Sequence, residues 1–236
     1  VMLHQSKHRT NCLTAEIVGP AGSGKSTLVA AMRRLTNQVD AIDNYSGFRY
    51  WPNLVGSAIC LTPVICEELL TFGRVSWPMV RRMTRLQASS AILRRRRASV
   101  HPIVVVDQGP LYTLAKLGMT NDERSVGARF HRWRKQMRAA AATALDLVIY
   151  LDAPDDELLH RVTSRSKRHA IKKATTSEAK EFLNRYRRHY LWLLDELGHS
   201  ANTRVLHIDT SESPPDELAQ KVLAACQRDQ PIHASN

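Results

Sequence analysis

The stretch Gly19–Thr27 reads GPAGSGKST and matches the pattern G-x-x-x-x-G-K-[ST] of a phosphate-binding P-loop. Its glycines permit backbone angles that a Cβ would forbid, so several N–H groups can point at phosphate oxygens. Lys25 supplies a mobile positive charge to the β- and γ-phosphates, and Ser26 supplies a hydroxyl for Mg²⁺. The residues expected to contact the nucleotide are Gly19, Ala21, Gly22, Ser23, Gly24, Lys25, Ser26 and Thr27.

The segments on either side of this loop support the same interpretation. Thr14–Val18 is short and apolar and predicts a strand, whereas Leu28–Leu35 predicts a helix. Because that helix begins at the loop, its positive dipole end would face the bound phosphates. The alternative is a glycine-rich turn that binds nothing, but the strand, the lysine and the Ser-Thr pair together favour a nucleotide site.

Length and charge narrow the class of protein. The chain has 236 residues, enough for one sizeable α/β domain, and a formal net charge of +12. That charge suits polyanionic ligands, which include nucleotides, phosphorylated metabolites, nucleic acid and anionic membranes. The four cysteines are scattered and predict reduced thiols in a cytoplasmic protein. No run is expected to be apolar enough to span a membrane.

Strands and helices alternate along the rest of the chain. The further predicted strands are Val39–Ile42, Ile103–Asp107, Leu145–Asp152 and Thr203–Asp209. Helical pairs are inserted after the second and third strands. This order predicts one domain over residues 1–236, with a core of about 14–226. It is a three-layer α/β/α P-loop NTPase fold with a five-stranded parallel sheet and a helical lid over about 154–175.

Two acidic residues follow predicted strands. In an open α/β sheet, the loops at the carboxyl ends of strands carry the site, which places Asp43 and Asp107 near the P-loop. Asp107 ends a buried β-branched strand, where an acid usually holds Mg²⁺ or its water shell. The alternative for Asp43 is a turn or capping aspartate, and the alternative for Asp107 is a cap for the next helix.

Two basic segments also stand out. Arg161 and Arg165 are four residues apart, so they share one helix face, and they follow the predicted strand that ends at Asp152. Such a segment can fold over the ATP phosphates, although a solvated helix face is the alternative. We interpret the run Arg94–Arg97 as a solvated helix end favoured by the dipole, in preference to a nucleic-acid patch.

These elements occur in the order seen in thymidylate kinases and deoxynucleoside kinases. From about Thr14 to Cys226 the chain resembles the P-loop nucleoside and nucleotide kinase superfamily. The resemblance matches Asp107 to the acid of a D-R or E-R-S motif, with Gln108 in place of the arginine. It implies lid roles for Arg161 and Arg165, and it makes Asp43 the nearest substitute for the acceptor base.

The resemblance implies ATP and Mg²⁺ as cofactors and transfer of the γ-phosphate to a small-molecule acceptor. The expected catalytic residues are Lys25, Asp43, Asp107, Arg161 and Arg165, and the expected metal ligands are Ser26 and Asp107. A nucleoside or nucleoside monophosphate is the default acceptor of the family. The alternatives are a sugar, antibiotic or other hydroxylated metabolite, an NTP-dependent switch or binding module, and a 5′-hydroxyl polynucleotide kinase.

The expected partner is therefore a small molecule rather than nucleic acid or a membrane. No guanine-reading N-K-x-D motif is recognisable, which argues against a GTPase. Apolar surface on the inserted helices would suit a homodimer.

Overall fold

A computed structural model describes residues 12–42, 50–73, 75–97, 101–120, 127–166, 170–198 and 203–228. The strands are β1 (Leu13–Val18), β2 (Val39–Ile42), β3 (Ile103–Asp107), β4 (Leu147–Asp152) and β5 (Arg204–Asp209). The helices are α1 (Lys25–Leu35), α2 (Trp51–Phe72), α3 (Trp77–Arg96), α4 (Pro110–Thr120), α5 (Ala128–Ala144), α6 (Asp155–Ser164), α7 (Thr176–Gly198) and α8 (Pro215–Arg228). A short 3₁₀ turn covers Ala170–Lys173.

The five strands form one parallel sheet in the order β2-β3-β1-β4-β5, which confirms the predicted sheet. In the central pairs, Ile17 is aligned with Asp107 on β3 and with Ile149 on β4. Because all strands run in one direction, their carboxyl ends lie at a single edge. The P-loop, Asp107 and Asp152 all follow or end strands at that edge.

Helices cover both faces of the sheet, which confirms the three-layer arrangement. Alternate strand residues contribute to two separate cores, as expected for a parallel sheet buried on both sides. One core joins the sheet to α1 and α8, through residues such as Met32 and Val222. The other joins it to α3, α4, α5 and α7, through residues such as Met83, Phe130 and Tyr190.

Helix α6 lies at the carboxyl edge, within the segment predicted to form the lid. Leu158 and Val162 are buried in a third, smaller core, against which Ala21 of the P-loop also packs. The backbone of α6 is so close that a Cβ on Gly22 would lie 2.6 Å from the carbonyl oxygen of Leu158. The P-loop therefore has a helical wall on its β4 side.

Helix α2 presents an uncharged surface to solvent. Its two charged residues face α5: Glu68 accepts a hydrogen bond from Gly127 N at 2.6 Å, and Glu67 lies 3.2 Å from Arg129 Nε. On the outer side, Ile59 is 67% exposed and Leu70 is 87% exposed. By length and composition Trp51–Thr71 could cross a membrane, so the expectation that no run is apolar enough was wrong on that measure.

The arginine run at the end of α3 is not simply a solvated helix end. Arg96 donates to Asp40 Oδ2 at 3.0 Å and to the Tyr50 hydroxyl at 3.1 Å. Arg97 donates to Asp146 Oδ1 at 2.7 Å. These two arginines therefore join the end of α3 to the sheet, since Asp40 lies on β2 and Asp146 directly precedes β4.

Candidate active site

The P-loop backbone adopts the conformation that its glycines were expected to permit. Gly19, Gly22 and Gly24 have φ values of 146°, 91° and 83°, in the region that favours glycine. A Cβ on Gly19 would lie 2.0 Å from the carbonyl oxygen of Leu151. No side chain therefore fits at Gly19, because β4 passes directly beside the loop.

Lys25 lies inside this loop. Its ammonium donates to the carbonyl oxygens of Gly19 and Pro20, both at 2.8 Å, and to Ser23 Oγ at 3.3 Å. Burial lowers the pKa of Lys25 to about 8, although the negative charge of Asp107 acts in the opposite direction. A bound polyphosphate would add negative charge beside this amine and favour its protonated form.

Ser26 and Asp107 come together at the start of α1. The hydroxyl of Ser26 donates to Asp107 Oδ2 at 3.2 Å. One hydroxyl and one carboxylate beside a phosphate loop fit Mg²⁺, which is often held by one or two carboxylates together with substrate phosphates. Within the described residues, no group of three or more His, Cys, Asp or Glu side chains could hold a metal on its own.

Arg161 joins three parts of the edge. It donates to Thr210 Oγ1 at 2.8 Å and to the Thr210 carbonyl oxygen at 3.0 Å, in the loop after β5. It also reaches the Gly22 carbonyl oxygen at 3.5 Å and forms an ion pair with Glu157. These contacts hold α6, the P-loop and the β5–α8 loop in fixed positions.

A cavity of about 560 Å³ opens between these segments. Gly22, Gly24 and Thr27 of the P-loop line it, together with Arg161 and Arg165. On the far side it is lined by Thr210, Ser211, Ser213, Pro214 and Pro215. Its size lies within the usual range for small-molecule sites, about 300–1,000 Å³. Arg165 is exposed, and its charge lowers the pKa of Lys25, so it lies within electrostatic reach of the phosphate loop.

The loop after β5 forms one wall of the cavity. Ser211 lines the cavity, whereas Asp209 does not line it and instead holds the loop. Asp209 Oδ1 accepts hydrogen bonds from Ser211 N at 2.8 Å and from Ser211 Oγ at 2.6 Å.

The predicted site residues are thus brought together in part. Lys25, Ser26 and Asp107 meet at the P-loop, and Arg161 and Arg165 flank one cavity. Asp43 lies outside the described residues. Gln108 has φ 64°, a left-handed conformation that is strained for a residue other than glycine.

Comparison with known proteins gives information on the fold. No family model and no curated protein matches this sequence. A solved structure of deoxyadenosine kinase from M. mycoides, with products dCMP and a flexible dCDP bound, matches 92% of this chain and 100% of its own, at 15% identity and a TM-score of 0.54. The same enzyme with bound dATP matches at 14% identity and a TM-score of 0.53, covering 91% of this chain.

This chain has the fold of a P-loop deoxynucleoside kinase. The resemblance drawn from the sequence is confirmed at that level. Within this kinase fold, several residues near the site had not been predicted, because their partners are far away in sequence.

Glu16 is the first of these residues. It is completely buried on β1, and its carboxylate accepts hydrogen bonds from Leu111 N and Tyr112 N in the first turn of α4, both at 2.9 Å. A Cβ on Gly109 would lie 2.6 Å from the Glu16 carboxyl carbon. Burial raises the pKa of Glu16 to about 8, despite the two donated hydrogen bonds. An acid inside the apolar run TAEIV is the signal that could have identified it.

Arg187 on α7 is the second. It donates to Asp152 Oδ2 at 2.7 Å and to the Ala153 carbonyl oxygen at 2.8 Å, and it pairs with Asp155. These contacts fix the end of β4 and the start of α6. No local pattern marks this arginine among the many on α7.

Proposed function

We propose that this protein is an ATP-dependent phosphotransferase that acts on a small-molecule acceptor, namely a nucleoside or nucleoside monophosphate. The observation that carries the proposal is the P-loop, with Lys25 enclosed in it and Ser26 beside Asp107. The neighbouring cavity, lined by Arg161 and Arg165, offers space for a nucleotide. The shared fold with deoxyadenosine kinases supports the same class of reaction.

The roles of the residues follow from their positions. The P-loop amides and Lys25 would bind the β- and γ-phosphates, and Ser26 and Asp107 would hold Mg²⁺. When bound, that metal supplies positive charge to the phosphate oxygens. The exposed side chain of Arg165 would approach the phosphoryl group that is transferred. Arg161 holds the loops that form the cavity. A base role for Asp43 remains a proposal from the sequence.

An assay of ADP release in the presence of Mg²⁺ tests this function. The panel contains nucleosides, nucleoside monophosphates, sugars and hydroxylated natural products, each with the wild type and with Lys25→Met. We expect one acceptor class to stimulate ADP release in the wild type only. Stimulation by a sugar or natural product would support the phosphotransferase activity and contradict a nucleoside acceptor. Slow release that no acceptor stimulates would favour a switch or binding module.

We also propose that the chain forms a homodimer through the outer face of α2, here named the α2 face (exposed residues of Trp51–Thr71). A helix face without charge can meet its own copy without like-charge repulsion, despite the net charge of +12. A stable interface buries about 800 Å² per partner. Trp51 on this face is 58% exposed, and a tryptophan contributes roughly 150–250 Å² when buried.

Light scattering after size exclusion tests the dimer. We expect a dimer for the wild type and a monomer for the double variant Ile59→Glu, Leu70→Glu. Leu35→Glu is the control, because Leu35 is 42% exposed and lies away from α2. A wild-type monomer that floats with anionic vesicles would contradict the dimer and indicate membrane binding instead.

Placement in the cytoplasm is likewise a prediction from the reduced cysteines and the kinase fold.

A further inference from the structure

One face of α7 packs along α6. Ala179 and Leu183 of α7 are buried in the third, smaller core together with Leu158 and Val162 of α6. Positions four residues apart lie on the same side of a helix, so Arg187 continues this face one turn beyond Leu183. The apolar contact between the two helices therefore ends in a charged one.

Arg187 binds the segment that joins β4 to α6. Its Nε donates to Asp152 Oδ2 at 2.7 Å, one terminal nitrogen donates to the Ala153 carbonyl oxygen at 2.8 Å, and the other forms an ion pair with Asp155. Only 19% of the Arg187 side chain is exposed, against 28% for Asp152 and 23% for Asp155. Because a guanidinium is flat and holds its donors at fixed angles, these three contacts define one geometry for the segment.

Asp152 is itself fixed to the sheet. The Tyr150 hydroxyl donates to Asp152 Oδ2 at 3.2 Å, and the backbone N–H of Ala153 donates to Oδ1 at 2.9 Å. The carbonyl oxygen of Asp152 accepts from Thr210 N at 2.9 Å, in the loop after β5. Arg187 therefore ties the start of α6 to a fixed point at the edge of the sheet.

The start of α6 decides where the other end of the helix lies. The helix has 10 residues and is about 15 Å long, so a tilt of roughly 5° at its first turn would move its far end by about 1 Å. Arg165 directly follows this end and lines the cavity beside the P-loop. A misplacement of about 1 Å can lower the rate of a catalysed step by about 10²-fold.

The P-loop has its own internal support. Lys25 holds the loop through hydrogen bonds of 2.8 Å to the carbonyl oxygens of Gly19 and Pro20. Arg187 lies outside the set of residues that line the cavity, so its effect on the site passes through α6. A change at Arg187 should therefore alter the position of Arg165 more than the binding of a nucleotide.

We propose that Arg187 is a positioning residue for phosphoryl transfer: it anchors α6 beside the P-loop and thereby sets the position of Arg165. This inference rests on the proposed phosphotransferase and adds to it a residue outside the cavity. The role differs from that of Arg161, which joins the loops of the cavity directly through Thr210.

Steady-state kinetics with a double variant test the positioning role. We expect Arg187→Met to lower kcat about tenfold and to change KM for ATP by less than about twofold. In Arg165→Gln protein the positioned group is already absent, so adding Arg187→Met should lower kcat by less than about twofold further. A residue with a purely structural role would instead lower kcat by the same factor in both backgrounds.

Lys180→Met is the matched control, because Lys180 also joins α7 to α6, through an ion pair of 2.8 Å with Asp156. The Asp156 side chain is 85% exposed, and exposed pairs contribute little, so this variant should keep the wild-type kcat. Arg187→Lys keeps the positive charge beside the two acids but lacks the fork of donors. It keeps the test available if Arg187→Met does not fold, and it should show a smaller loss of kcat with the same dependence on Arg165.

Hydrogen exchange gives a readout that does not need turnover. The amides of Asp155–Ser164 exchange through local opening of α6, and Arg187→Met should speed their exchange about tenfold while the amides of α1 remain unchanged. Lys180→Met should leave the exchange of α6 at wild-type rates. Circular dichroism checks that each variant is folded.

The outcomes separate the two proposals. Wild-type kcat in a folded Arg187 variant, or the same loss of kcat with and without Arg165, overturns the positioning role and leaves the phosphotransferase intact. If the wild type transfers phosphate to no acceptor, the phosphotransferase is wrong, and the exchange of α6 then decides the anchor alone. Unchanged exchange in the Arg187 variants would show that Arg187 does not anchor the helix.

Discussion

The two sides of the P-loop are built in different ways. On the β5 side, the cavity is formed by loops that directly follow strands, and Arg161 joins these loops through Thr210. On the β3 side, the wall is formed by helices, and Lys116 on α4 lies 5.4 Å from the ring centroid of Tyr186 on α7. The first side consists of short segments with local motifs, whereas the second consists of helix faces without any. This difference teaches that a wall built from the loops after strands is visible in a sequence and a wall built from helix faces is not.

The largest effect should come from the P-loop that separates the two sides. Lys25→Met removes the charge enclosed by the P-loop, and we expect the ATP-dependent turnover to fall by about 10³-fold, the upper range for one charge-stabilising donor. Circular dichroism should show an unchanged fold. Lys135→Met removes an exposed lysine on α5 and should leave turnover intact. Substantial turnover by folded Lys25→Met protein would contradict the proposed function.

The two arginines on α6 should then differ from each other. Arg165 is exposed and lines the cavity, so Arg165→Gln should lower kcat by about 10²-fold with little change in stability. Arg161 makes hydrogen bonds to Thr210, so Arg161→Gln should lower the unfolding free energy by about 2 kcal/mol. Urea unfolding and steady-state kinetics on both variants check this. Equal losses of stability would contradict the distinction.

A smaller effect concerns the buried acid beneath α4. Because burial raises the pKa of Glu16 from 4.5 to about 8, folding takes up a proton between these pH values. This contribution to stability is complete below about pH 4.5 and is lost as pH rises through about 8. The unfolding free energy should fall by at most about 1.4 kcal/mol for each pH unit in this range.

Glu16→Gln should lack this dependence, because glutamine does not titrate. At pH 5 the variant should be less stable than the wild type by about 1 kcal/mol, since the amide can accept at only one of the two positions. The difference in unfolding free energy between variant and wild type should narrow or reverse by pH 9. Urea unfolding between pH 5 and pH 9 measures it. A constant difference would show that Glu16 does not titrate there.

The smallest effect should come from the turn between β3 and α4. Gln108 has φ 64°, and glycine adopts that angle without strain, so Gln108→Gly should raise the unfolding free energy by about 1 kcal/mol or less. Gln136→Gly in the exposed part of α5 should have the opposite sign, at about 1 kcal/mol of destabilisation. Destabilisation by both substitutions would mean that Gln108 makes contacts that outweigh its strain.

The fold could be predicted from the sequence because its signals are local. The P-loop and the apolar strands each occupy a few consecutive residues. The position of Arg161 beside the P-loop could be predicted, but its hydrogen bond to Thr210 could not, since Thr210 lies 49 residues away. Glu16 and Leu111 are 95 residues apart, so no pattern along the chain reveals that the acid binds the start of α4.

The hydrogen bonds of Lys25 have a consequence for the rate of nucleotide binding. The ammonium already contacts two carbonyl oxygens of its own loop, at 2.8 Å each, so the loop has its curved shape before any ligand arrives. The conformational entropy of ordering this segment is lost when the chain folds rather than when the ligand binds. For the proposed function, this predicts that a nucleotide binds in a single kinetic step, without a slow rearrangement of the loop.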